Sequence, residues 1–183
     1  MKLKFDPNQQ YQLDAVHSVV DIFTGQPKDI DSVTRHMDQD RQLGLEATIA
    51  RGNSLVLDAV QIAENMRSVQ QRSDILPDLI DEPSAVKNLP HGMNFSIEME
   101  TGTGKTYVYL RTIHELHQHY GWKKFIIVVP SVAIREGVLK NLAITREHFA
   151  DLYNKPEMDC YVWDSKKTGQ AREFATNDTL QIM

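Results

Sequence analysis

The apolar positions of this chain change rhythm near residue 94. Before that point their spacing is helical. Leu13, Val16, Val20 and Phe23 recur at intervals of three and four, and Ala15, Val19 and Ile22 widen the same face, which predicts a helix over 9–23 that Gly25 and Pro27 stop. Leu55, Ala59, Ile62, Ala63 and Met66 form a second stripe and predict a helix over 55–69. Residues 29–51 are polar and weakly patterned, and Pro77, Pro83, Pro90 and Gly92 predict a loop-rich stretch. From residue 94 onward, strand and helix patterns alternate. Asn94 to Met99 reads as a strand and the residues from Lys105 to His117 as a helix. Lys124 to Val129 is a continuous apolar run after its first residue, ends at Pro130, and suits a strand covered on both faces. A helix over 134–149, a strand over 158–163 and the start of another at 179–183 follow. The alternation predicts an α/β fold, a mostly parallel sheet flanked by helices. The chain shows no internal repeat and no low-complexity tract.

The turn between the first predicted strand and its helix carries the chemistry. It reads Met99-Glu100-Thr101-Gly102-Thr103-Gly104-Lys105-Thr106. Strand, glycine-rich loop, Lys-Thr and helix make the architecture of a phosphate-binding loop. Glycines at 102 and 104 let the backbone turn where other residues cannot and approach an anion closely. The loop N–H groups, with Thr101 and Thr103 among them, and the helix N-terminus then face phosphate oxygens. Lys105 supplies a cation for the β- and γ-phosphates, and Thr106 a hydroxyl for Mg²⁺. The strict pattern has glycine where this chain has Met99. Nucleotide binding is the function this segment predicts.

Composition narrows the setting. The chain has 183 residues, 41% hydrophobic and 25% charged, enough for a packed core. No apolar run approaches the ~20 residues of a membrane helix, and the start lacks the apolar segment of a secretory signal. Cys160 is the only cysteine, which excludes an internal disulfide and fits the cytoplasm. Its apolar surroundings predict a buried, inert thiol. A net charge of −5 and a pI of 5.8 argue against holding DNA by bulk positive charge, though not against contact through a few loop residues.

Other candidate chemistry is thinner. A hydrolytic phosphate-loop enzyme needs an acidic residue at a later strand end. Asp164, after Tyr161-Val162-Trp163, is the nearest approach and lacks a second carboxylate. His114 and His117 share a helix face with His119 close by, but no Cys, Asp or Glu completes a ligand set, so a solvated helix end is the plainer reading. Gln9, Gln10 and Gln12 flank Tyr11. A carboxamide both donates and accepts, as adenine's edge requires, and Tyr11 or Phe5 could pack on the base; a polar helix start accounts for the same residues.

Taken together, these segments resemble the front of a superfamily 2 helicase-type motor. Such motors accept Met at the first loop position. Their upstream glutamine motif is similar to Tyr11-Gln12-Leu13-Asp14-Ala15, and their next motif to Val128-Val129-Pro130-Ser131. More narrowly, residues 99–106, the run Phe125-Ile-Ile-Val-Val-Pro-Ser-Val-Ala-Ile-Arg-Glu-Gly-Val138 and the final Leu-Gln-Ile-Met resemble the Res subunit of type III restriction–modification enzymes. The resemblance covers most of the chain and is specific over 95–140.

It implies a partial P-loop NTPase (RecA-like) lobe over residues 1–183, with a helical insert at about 25–93 and a phosphate-binding core at 94–183. It also implies ATP with Mg²⁺, double-stranded DNA as track, a methyltransferase (modification) subunit as partner, and a nuclease domain outside this chain. By this resemblance Gln12 reads adenine, Thr101 to Thr106 hold the phosphates and Mg²⁺, and Ser131 and Arg135 lie near the DNA backbone. The chain is then expected to be the front piece of a longer motor and not catalytic alone. Two other readings stay open: the front of another superfamily 2 DNA helicase, and a nucleotide-sensing interaction module without hydrolysis.

Overall fold

The computed structural model describes residues 4–28, 52–75 and 94–183. The predicted loop-rich stretch at 77–92 and the polar stretch at 29–51 lie outside them. The chain divides into two compact units, Met1–Gln26 with Leu55–Glu115 and Pro27–Ser54 with Leu116–Met183.

In the first unit, α1 spans Gln10–Val20 and continues as a 3-10 turn over Asp21–Phe23. Its apolar stripe buries Val16 and Val20. Helix α2 spans Ala59–Arg72, four residues later than the apolar stripe predicts. The cause is a capping box: the Asp58 carboxylate accepts from the Gln61 backbone N–H at 2.8 Å, and the Gln61 side chain accepts from the Asp58 N–H at 3.0 Å. Leu57 remains outside the helix and packs with Ile22 and Ile62, flanked by Phe23 and Val69. Asn65 ties the two helices by donating to the Ile22 and Thr24 carbonyls at 3.0 and 2.9 Å. Helix α3, Lys105–Tyr120, opens directly from the glycine-rich loop.

The second unit holds a parallel sheet, as the alternation predicts. Strand β1 is Lys124–Phe125, β2 is Met158–Cys160 and β3 is Leu180–Ile182, in the order β1-β3-β2. The last strand in sequence is therefore the middle one, with Gln181 opposite both Lys124 and Asp159. Leu180 and Ile182 are buried, each contributing about 1.5–3 kcal/mol through its side chain. The buried Gln181 carboxamide donates to Asp159 at 3.0 Å, and Thr179 and Asn177 donate to the same carboxylate oxygen at 3.0 and 3.2 Å. This polar row fixes the β2–β3 register, because a slip would strand those groups without partners. Helix α4, Val132–Leu152, follows β1, and α5, Thr168–Thr176, follows β2. This α/β arrangement is that of a partial RecA-like lobe.

Three expectations need correction, and one helix was not expected. Asn94 to Met99 form no strand, since a strand exists only through a ladder and none reaches them among the described residues; Phe95 and Ile97 are exposed. The run 124–129 pairs as a strand only at its first two residues, with one further bond from Ile127 N–H to the Met183 carbonyl at 2.8 Å. Ile126 and Val128 are exposed, so the run is not covered on both faces. Cys160 is exposed rather than buried, although desolvation still raises its thiol pKa. Helix α5 goes unpredicted: its segment is polar and carries Gly169 in the first turn.

Candidate nucleotide-binding site

The glycine-rich loop has the backbone its sequence predicts. Gly102 and Gly104 adopt φ of +83° and +85°, the left-handed region that side chains disfavour. Nothing lies within 4 Å of where a Cβ on Gly102 would stand. At Gly104 a Cβ would stand 2.7 Å from Gln12 Nε2. The Gly104 carbonyl takes the first helical bond of α3, from Val108 N–H at 3.1 Å, so the loop runs straight into a helix N-terminus. Thr103 Oγ1 closes the turn by donating to the Glu100 carbonyl at 2.6 Å. Thr101, Gly102, Gly104 and Lys105 are exposed, and Thr103 and Thr106 half-buried. The Lys105 ammonium donates to the carbonyls of Met99 and, at 2.8 Å, Glu100. The Tyr109 hydroxyl shares a hydrogen bond with the Thr106 side chain, and burial raises the Tyr109 pKa.

Gln12 meets this loop from 91 positions away in sequence. It is buried on α1, and Nε2 donates to the Thr103 carbonyl at 3.0 Å and to Tyr11 Oη at 3.3 Å. The Tyr11 hydroxyl donates in turn to Gln9 Oε1 at 2.6 Å. Phe5 stacks on Tyr107, ring centroids 5.9 Å apart and planes at 14°. The residues singled out for base and phosphates thus converge within one unit.

Ser131 and Arg135 belong to the second unit. Ser131 caps α4, its Oγ accepting from Ile134 N–H at 3.3 Å. Arg135 pairs with Glu136 at 3.0 Å and lines an apolar cavity of about 530 Å³ with Ile126, Val128 and Trp163. Asp164 spends its carboxylate on a turn, accepting from Lys166 N–H at 3.0 Å. His114 is buried, unlike a solvated helix end, and only His119 of the three is exposed. His117 Nδ1 donates to the Trp122 carbonyl at 2.8 Å, and burial lowers its pKa. Among the described residues no three His, Cys, Asp or Glu side chains gather closely enough to hold a metal. No described helix is long and apolar enough to cross a membrane.

A comparison with protein families decides the lineage: the family described as type III restriction enzyme, res subunit, matches residues 56–182. The chain belongs to this Res-subunit family. Among curated relatives, the EcoP15I Res subunit of Escherichia coli is 34% identical over 165 residues, 88% of this chain and 15% of the relative. The EcoPI Res subunit of Escherichia phage P1 is 33% identical over 168 residues, 89% of this chain and 15% of the relative. The StyLTI Res subunit of Salmonella typhimurium is 48% identical over 68 residues, 36% of this chain and 7% of the relative. The chain therefore spans at most about 15% of the length of these Res subunits. The glycine-rich loop lies inside the family match, and Gln12 lies upstream of it.

Proposed function

We propose that this chain is the ATP-binding portion of the DNA-translocating Res subunit of a type III restriction–modification endonuclease. The observation that supports it best is the convergence of Gln12 on a loop whose two glycines hold left-handed backbone at the start of α3. The exposed loop amides and the N-terminus of α3 suit an anion, and the open space over Gly102 leaves room for one. Lys105 moves its ammonium from the Met99 and Glu100 carbonyls to the β- and γ-phosphates, a stronger, charge-assisted partner. Thr101, Gly102, Thr103 and Gly104 contribute the cradle. Thr106 offers its hydroxyl to Mg²⁺, which when bound neutralises charge on the phosphates. Gln12 reads adenine with its carboxamide, favouring ATP over GTP.

ATP hydrolysis, completed by residues outside this chain, drives movement along double-stranded DNA in the cytoplasm, together with a methyltransferase subunit. Cleavage belongs to a nuclease domain elsewhere. Ser131 and Arg135 contact the DNA backbone, where a hydroxyl, a helix N-terminus and a guanidinium bind any sequence alike. The test is calorimetric titration of the chain with Mg²⁺ and ATP or GTP. The expected result is binding of both, tighter for ATP, and weakened by Lys105→Ala. Equal affinity of wild type and Lys105→Ala for ATP would reject the assigned loop, and equal affinity of wild type for ATP and GTP the role of Gln12.

A further inference from the structure

Helix α3 carries a buried charge that the phosphate site does not use. Arg111 is only 8% exposed. Its guanidinium donates to the Pro7 carbonyl, lies 3.6 Å from the Glu115 carboxylate one turn on, and shares a hydrogen bond with the Tyr107 hydroxyl one turn back. Removing a guanidinium from water is costly unless its donors are met, so a buried arginine with partners on three sides fixes the groups it binds. One of them is backbone from the N-terminal arm, 104 positions away in sequence. The arm has a second fastening, since Phe5 stacks on Tyr107 of the same helix. It is stiffened across Pro7 by an Asn8 N–H bond to Asp6 Oδ1 at 2.9 Å. The arm then enters α1 at Gln10, and Gln12 reaches the Thr103 carbonyl. The first two turns of α3 thus carry the phosphate loop at one end and an anchor for the base-reading segment on their side.

We infer that Arg111 is a positioning residue for base recognition, holding the arm of residues 5–9 so that Gln12 stands at a fixed distance from the phosphate loop. Arg111 touches no nucleotide; it acts through Pro7. The inference rests on the proposed ATP site and makes a prediction that site alone does not. Phosphate affinity and base preference must separate when Arg111 is changed.

The experiment is a titration of the 183-residue chain with ATP, GTP and inorganic tripolyphosphate, each with Mg²⁺. In Arg111→Met, ATP affinity should fall about tenfold toward that of GTP, while tripolyphosphate affinity stays within about twofold of wild type. Pro7→Gly keeps the guanidinium buried and its acceptor in place but frees the backbone that presents it, and should lose about threefold for ATP and nothing for tripolyphosphate. If Arg111→Met does not fold, judged by circular dichroism, Pro7→Gly decides alone. Retention of the full ATP preference by either folded variant, or parallel loss of ATP and tripolyphosphate, overturns the inference while leaving the site intact. A wild type that binds neither ATP nor tripolyphosphate overturns the site and the inference together.

Discussion

Gly102 and Gly104 have almost the same backbone angle but different surroundings, and alanine at each position separates two energies. Gly102→Ala meets open space, so its cost is the left-handed backbone alone, about 1–2 kcal/mol. Gly104→Ala carries that same cost and also places a methyl group 2.7 Å from Gln12 Nε2. The carboxamide is the end of a flexible side chain and can swing away. Doing so breaks its bond to the Thr103 carbonyl, adding about 0.5–1.5 kcal/mol. The expected total at Gly104 is about 1.5–3.5 kcal/mol, roughly 1 kcal/mol more than at Gly102. Urea denaturation followed by far-UV circular dichroism gives both values. The decisive arm is a double-mutant cycle: in a Gln12→Ala background, Gly104→Ala should cost no more than Gly102→Ala. Equal costs in the wild-type background, or an unchanged Gly104→Ala cost without Gln12, would refute the contact between α1 and the loop.

Lys105→Ala should weaken ATP binding roughly ten- to a hundredfold, the loss of about 1.5–3 kcal/mol of charge-assisted hydrogen bonding, read by calorimetry. Asp58→Ala removes the cap of α2 and should cost about 1 kcal/mol in urea denaturation, with no change in the start of α3. His117 has a pKa lowered by burial, so the unfolded chain takes up a proton that the folded chain resists. Its contribution is complete above the unfolded pKa of about 6.5 and is lost as pH falls through the lower folded value; His117→Gln should flatten that part of the stability profile. Cys160 is exposed but has a raised thiol pKa, so at neutral pH iodoacetamide should alkylate it more slowly than free cysteine, and an equal rate would contradict the desolvation.

What was legible in the sequence is what local forces decide. The stripe of α1, the helix opening at Lys105 and the left-handed glycines follow from side-chain spacing and backbone sterics, and the fold class follows from the alternation of helix patterns with apolar runs. The start of α2 was also written locally: Asp58-x-x-Gln61 is a capping signature that outranks an apolar stripe beginning at Leu55. Strand extent was not legible, because pairing is non-local. Residues 94–100 and 126–129 have strand-like composition, yet only Lys124–Phe125 finds a full ladder, on β3. At the site, the loop and its helix could be read directly, whereas the path by which Gln12 reaches Thr103 could not. Arg111 gave no signal at all. An arginine at i with a glutamate at i+4 on a helix normally marks a solvated pair, and only the fold reveals that this one is buried against Pro7.

In the proposed reading, residues 99–106 and Gln12 form one site for ATP. The most direct measurement is amide and side-chain chemical-shift mapping of the isotopically labelled chain as Mg²⁺ and ATP are added. The largest shifts should fall at the backbone N–H groups of Thr101 to Thr106 and at the Gln12 carboxamide, with tripolyphosphate moving the loop and leaving Gln12 nearly still. Shifts confined to other segments, such as the apolar cavity around Ile126 and Trp163, or a silent loop at saturating ATP, would contradict it.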